Sequence, residues 1–170
     1  VKIKVSYYQE LSSVAPEKTI FATNSSTFVP SQFAEYVDRP EKFLAIHFAN
    51  QIWKNNNAEI MGHPGTEGKY LDEVVQFAKD IRMVPFRLYK EQHGYILNSL
   101  LVPLLDAAQK LWVNGVADPE TIDKSWMIAT GAPQGPFAIL DVVGLNTPYN
   151  LSLAQAETDA EAAEIAKALK

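Results

Sequence analysis

From residue 1 to about 90 the apolar positions switch between a helical period and short continuous runs, which predicts helices alternating with buried strands. Val5, Tyr8 and Leu11 recur at helical spacing over residues 1–14, and Pro16 closes that pattern before the short run Thr19, Ile20, Phe21, Ala22. The reading is helix, turn, buried strand. A helix over 30–37, strands over 43–48 and 58–61, an amphipathic helix over 70–81 and a strand over 84–88 follow. That alternation predicts an α/β unit with a mostly parallel sheet covered by helices.

After Glu91 the pattern changes. Residues 95–113 are apolar nearly all round, which predicts a helix buried among other helices or at a subunit interface, kinked at Pro103. Asp118 followed by Pro119 reads as an N-cap and first helical position, and Gly131 as the matching stop, so a helix spans 119–130. Residues 131–136, with two glycines and two prolines, form a rigid corner. Thr158 and Glu161 have capping-box spacing and open a last helix through Leu169. The fold class is α/β then all-α, with domains at 1–90 and 91–170.

Composition narrows the function classes. The chain has 170 residues, 47% of them apolar, and a formal net charge of −5. It is expected to bind neither nucleic acid nor membrane broadly, with Lys2, Lys4 and Lys18 as candidates for a local phosphate contact. With no cysteine there is no thiolate nucleophile and no Cys-ligated metal, and a cytoplasmic setting is expected. His63 and His93 fall in loops without a metal-ligand spacing, so no metal is expected. Residues 95–105 are the longest apolar stretch and fall short of the roughly 20 that span a bilayer. The chain opens at Val1 directly in a helix-like pattern and reads as a fragment or processed product.

His47 and Glu59 carry the candidate chemistry, because each interrupts an apolar run that reads as a buried strand. An imidazole that takes a proton from an alcohol needs a carboxylate on its other nitrogen to fix the tautomer and stabilise the imidazolium. Spacing alone leaves open a core histidine satisfied by a backbone carbonyl, with Glu59 facing solvent. Asn24, Ser25, Ser26 and Thr27 follow a strand directly, where open α/β sheets bind ligands, and would also serve as a polar turn. Asn98 is a lone amide in an apolar helix, so it either bonds within the core or faces a ligand.

Four motifs stand in order: Ile-Phe-Ala-Thr-Asn-Ser-Ser at 20–26, Phe-Leu-Ala-Ile-His-Phe-Ala-Asn at 43–50, Gly-Tyr-Ile-Leu-Asn-Ser-Leu-Leu-Val-Pro at 94–103, and Gly-Ala-Pro-Gln-Gly-Pro-Phe-Ala-Ile-Leu-Asp-Val-Val-Gly-Leu at 131–145. On them, the chain from Lys2 to about Leu151 resembles the L-3-hydroxyacyl-CoA dehydrogenase family, including its short 3-hydroxybutyryl-CoA dehydrogenase members. The resemblance implies the C-terminal part of a Rossmann-type NAD-binding domain followed by a helical dimerisation domain. It implies an acyl-CoA substrate, NAD as cofactor and a homodimer. It also implies His47 as catalytic acid–base, Glu59 as its orienting carboxylate, Ser26 and Asn98 around the reacting oxygen, and Asn50 as a further active-site amide. Asn24 and Lys4 match positions facing the nicotinamide.

Two departures qualify the resemblance. Where the family commonly has His-Phe-Phe-Asn-Pro, this chain has His-Phe-Ala-Asn-Gln, so Ala49 and Gln51, followed by Trp53, would reshape the acyl pocket. The glycine-rich dinucleotide fingerprint is absent from these residues and is expected before Val1, with the family's last residues expected past Lys170. An inactive dimerisation or acyl-CoA-contact module, and a 3-hydroxyacid dehydrogenase that dispenses with CoA, are the alternative readings.

Overall fold

The computed structural model describes residues 1–170. Helix α1 (Lys2–Val14) turns Tyr8 inward against Phe33 and Phe43, whose rings it meets edge-on at 5.5 and 5.1 Å. Edge-to-face packing places the positive rim of one ring on the negative face of another.

Strands β1 (Phe21–Thr23), β2 (Phe43–Phe48), β3 (Asn57–Gly62) and β4 (Val84–Arg87) form one sheet in that spatial order. The outer pairs, β1 with β2 and β3 with β4, are parallel, while β2 and β3 are antiparallel. Residues 49–56 are too few for the crossover of about a dozen that a parallel pair needs. The sheet is therefore mixed at its centre.

Strand alternation then sorts the side chains. Leu44, Ile46, Ala58 and Ile60 form one buried cluster with Leu71, Val74 and Ala78 of α2 (Gly68–Asp80). Ala45, His47, Glu59 and Met61 point the other way, and Ala45 and Met61 pack there with Val29 and Tyr95.

The helix expected over 30–37 is instead two single 3₁₀ turns, Pro30–Gln32 and Ala34–Tyr36, with a third at Pro40–Lys42. Phe33 leaves the helical region at φ −127°, ψ −9°, and its fully buried ring packs on Phe28 and Tyr8. Ring burial outweighs two turns of regular helix here, in a segment bounded by prolines.

Five helices follow: α3 (Leu97–Val113), α4 (Pro119–Thr130), α5 (Pro136–Val143), α6 (Asn146–Gln155) and α7 (Ala160–Ala168). Within the chain α3 buries one face, at Leu105, Ala108 and Gln109, and leaves Leu100, Val102 and Leu111 exposed. The all-round burial expected of it is not met by this chain's own residues. Asp118 accepts from the Thr121 amide and Gly131 closes α4 at φ 73°. The cap of α7 is Asp159 rather than Thr158: its carboxylate accepts from the Glu161 and Ala162 amides, while the Thr158 hydroxyl donates back to the Gln155 carbonyl. A charged acceptor at the N-terminal end of a helix outcompetes a neutral hydroxyl.

The chain divides into two compact units, Val1–Ser99 and Leu100–Lys170. No helix is long and apolar enough to cross a membrane.

Candidate active site

His47 and Glu59 are directly opposite partners in the antiparallel β2–β3 ladder, so their side chains leave the sheet side by side on one face. His47 Nδ1 lies 2.9 Å from Glu59 Oε2, with side chains 5% and 2% exposed. A buried carboxylate is tolerable only when its lone pairs are used. Here Oε1 accepts from the amides of Ile96 and Leu97 at 2.9 and 2.8 Å, at the start of α3. Glu59 is thus a cap for one helix and the partner of one imidazole, and the positive end of the helix favours its charge.

An ionised carboxylate only accepts, so Nδ1 carries the proton and Nε2 presents its lone pair. That lone pair faces the Ser26 hydroxyl at 3.3 Å, in the exposed loop after β1. The arrangement is an imidazole held from behind by a carboxylate, with a hydroxyl beside its other nitrogen.

The remaining expected residues are arranged less directly. Asn24 follows β1, is exposed, and accepts through Oδ1 from the Phe48 amide at 3.1 Å, tying the carboxyl ends of β1 and β2 together and leaving its own NH₂ unpartnered. Asn98 is half-buried in the first turn of α3 with no side-chain hydrogen bond, one residue past the Leu97 amide that holds Glu59. Asn50 is exposed and uses its carbonyl to accept from Asn55, without touching the dyad. Lys4 is half-buried on α1 and makes no ion pair. Hydrogen bonds therefore join His47, Glu59 and Ser26; Asn24 and Asn98 are one chain neighbour away, and no bond links Asn50 or Lys4 to the dyad.

His63 and His93 are hydrogen-bonded to the carbonyls of Pro40 and Thr27, each at 2.8 Å. The second bond fixes the loop that carries Ser26. No group of three or more His, Cys, Asp or Glu side chains is placed to hold a metal ion.

The sequence reading missed Tyr95 as part of the site. Its ring stacks on His47 with centroids 4.5 Å apart and planes 15° apart, and the residue is fully buried. Its hydroxyl has no hydrogen-bond partner. Burial, and next the Glu59 charge, push the phenol well above its ordinary range, so it stays protonated. Gly94 and Tyr95 both have positive φ, 78° and 53°, and the reversal they make turns the Ile96 and Leu97 amides toward Glu59. The Gly94–Tyr95 pair at a helix start was the available signal, since a glycine there marks a left-handed turn.

Residues 1–92 match the family model described as 3-hydroxyacyl-CoA dehydrogenase, NAD binding domain, and residues 94–170 match its C-terminal domain. A mitochondrial hydroxyacyl-coenzyme A dehydrogenase of Sus scrofa is 36% identical over 147 residues, covering 86% of this chain and 46% of that protein. A 3-hydroxybutyryl-CoA dehydrogenase of Clostridioides difficile is 30% identical over 146 residues, covering 86% of this chain and 52% of its own length. A solved structure of a diketoreductase, described as performing substrate-directed dual catalysis of dicarbonyl compounds, superposes with a TM-score of 0.92 at 55% identity, covering 99% of this chain and 58% of that one. The chain spans about half the length of the curated relatives it matches.

Proposed function

Because this chain belongs to the 3-hydroxyacyl-CoA dehydrogenase family, we propose that the protein is an NAD-dependent oxidoreductase interconverting 3-hydroxyacyl-CoA and 3-oxoacyl-CoA. One observation carries the reading: His47 is held through Nδ1 by a buried carboxylate while Nε2 stands open beside Ser26.

In the oxidative direction His47 Nε2 takes the proton of the 3-hydroxyl, and the positive charge that develops on the ring is matched by Glu59 at 2.9 Å. In the reductive direction the imidazolium returns that proton to the 3-oxo oxygen. The Ser26 hydroxyl and the unpartnered Asn98 amide orient the oxygen, and Asn50 contributes a further amide. NAD, when bound, accepts or supplies the hydride at C3. Asn24 suits its nicotinamide end: with Oδ1 committed to Phe48, its free NH₂ is a donor at the carboxyl end of a strand. Lys4, a cation without an ion pair on α1, is the second residue we assign to the cofactor.

Positioned acid–base catalysis contributes about 10²- to 10⁴-fold in rate. His47→Ala should lower acetoacetyl-CoA reduction with NADH by at least that factor while its circular dichroism spectrum stays that of the parent protein. Near-normal turnover in a folded His47→Ala protein would sink the reading.

A second reading is favoured by the 55% identity to a diketoreductase and by the loop after β2, where Gln51 has φ 57° and Trp53 is 84% exposed. In it the same dyad serves a free dicarbonyl compound without CoA. Comparing kcat/KM for acetoacetyl-CoA and for a diketo ester decides between them, and a CoA preference below about tenfold would favour the second. For the assembled state we propose a homodimer through the helical unit, supported by the exposed Leu100, Trp126, Ile128 and Leu151. Sedimentation equilibrium giving a monomer at micromolar concentration would overturn that.

A further inference from the structure

We propose that Tyr95 is a positioning residue for the His47 acid–base: the face of its ring fixes the tilt of the imidazole and favours the imidazolium during proton transfer. This rests on the reading of His47 as the group that moves the proton.

Glu59 alone does not hold the ring. A hydrogen bond at Nδ1 fixes one atom and the direction of one bond, and leaves the imidazole a residual tilt through coupled rotation about its two side-chain bonds. A parallel ring 4.5 Å away, tilted by 15°, removes that freedom. The two restraints act at right angles, one in the imidazole plane and one normal to it. Together they aim Nε2 at the Ser26 side of the site.

The stack also has an electrostatic sign. An aromatic face is the negative end of the ring quadrupole, so it attracts a cation lying over it, and more strongly away from water. Both rings are buried, at 4% and 0% exposure. The groups facing His47 are the Glu59 carboxylate from β3, the Ser26 hydroxyl from the loop after β1 and the Tyr95 ring from the turn before α3; no Lys or Arg bonds to any of them. Neutral imidazole gains little from such a face. The species formed in the transfer gains more, so the ring contributes where the charge develops.

The turn makes the placement reliable. Tyr95 occupies a left-handed conformation at φ 53°, disfavoured for an L-residue with a large side chain, directly after Gly94 at φ 78°. The same reversal supplies the Ile96 and Leu97 amides to Glu59. One turn thus fixes the stacking ring and the carboxylate's donors together. The hydroxyl plays no part, having no partner.

The test is a side-chain series at residue 95 in the full-length protein: Tyr95→Phe, Tyr95→Leu, and replacement of Tyr95 by pentafluorophenylalanine, which nearly keeps the ring's shape while inverting its quadrupole. Two readouts are taken, the His47 ring-proton titration by NMR and kcat with KM for acetoacetyl-CoA reduction. Phenylalanine should match the parent in both. The fluorinated ring should lower the His47 titration midpoint by about half a pH unit to one unit and reduce kcat several-fold, with KM within about twofold. Leucine should do the same and also lose the upfield ring-current shift of the His47 protons.

An unchanged midpoint with pentafluorophenylalanine overturns the electrostatic role, and an unchanged kcat with leucine overturns the positioning role. If leucine prevents folding, the phenylalanine and fluorinated proteins still decide the electrostatic role because their shapes match, and Tyr95→Met, a flexible apolar side chain without a ring face, takes leucine's place for the positioning role. The titration needs no substrate, so a shifted midpoint together with an active His47→Ala protein would reject the catalytic reading and keep the stack.

Discussion

At the scale of single residues, Glu59 has one oxygen for an imidazole and the other for two amides, so its substitutions separate chemistry from stability. In Glu59→Gln the amide oxygen can still accept from Ile96 and Leu97, but an NH₂ then faces Nδ1 and drives His47 into the opposite tautomer, with Nε2 protonated. Turnover should fall about 10²- to 10⁴-fold with a melting temperature close to the parent's. In Glu59→Leu the two amides are left unpaired, at about 1 to 3 kcal/mol each, so the protein should also melt at lower temperature. Thermal denaturation beside steady-state assays tells these outcomes apart; equal losses of stability would refute the division of labour. Tyr95→Phe removes a buried unpaired hydroxyl and should be at least as stable as the parent. His47 and Glu59 were legible in the sequence because a polar side chain inside an apolar strand must find a partner, and opposite positions in a short antiparallel pair provide one. Tyr95 was not legible, since an aromatic residue in an apolar stretch looks like ordinary core until a left-handed turn lays it on the imidazole.

The elements were legible where local chemistry decides them and misread where tertiary packing does. Asp118, Pro119 and Gly131 bracket α4 as their propensities dictate. The stretch 30–37 has helical composition, but burying Phe33 breaks it into turns. At α7 the cap moved by one residue because Asp159 offers a charge where Thr158 offers a hydroxyl. Asp159→Ala should therefore lower the melting temperature of the helical unit by a few degrees, and Thr158→Ala should leave it nearly unchanged; the reverse order would restore the capping box. The pH dependence has a definite sign. Amide hydrogen bonds, from Thr121 to Asp118 and from Ala162 to Asp159, hold both carboxyls below the ordinary aspartate value of 3.8. Their stabilisation is complete above that value and is lost as pH falls through the lower folded-state value. In Asp159→Asn the acid limb of a melting-temperature profile should be shallower. Asp123 is a cap no local pattern reveals, because it reaches from α4 to the amides of Phe137 and Ala138 at the start of α5. Asp123→Ala should cost about 1 to 2 kcal/mol. Gly135→Ala should be worse tolerated than its turn position suggests, because a Cβ there would collide with Asp123.

Across the whole molecule, burial is unevenly shared. All three clusters of buried apolar side chains lie within Val1–Ser99, whereas α4 buries none of its residues. The change from strand-bearing to helical pattern near residue 90 was visible in the sequence, but this imbalance was not, because an apolar helix face reads the same whether or not the chain covers it. Local opening costs less where fewer apolar contacts must be broken. Amide exchange should consequently be slowest in β2 and β3, each paired on both sides, and faster by orders of magnitude in α4. Equal protection of β2 and α4 in dilute protein would contradict that ordering. Concentration adds a second axis. Trp126 and Ile128 of α4 are exposed in the single chain, so a second copy seated on them would slow α4 exchange as concentration rises while leaving β2 and β3 unchanged. Exchange in α4 that is fast at every concentration would remove that face from the proposed dimer, and would leave the exposed Leu100 of α3 and Leu151 of α6 as its remaining support.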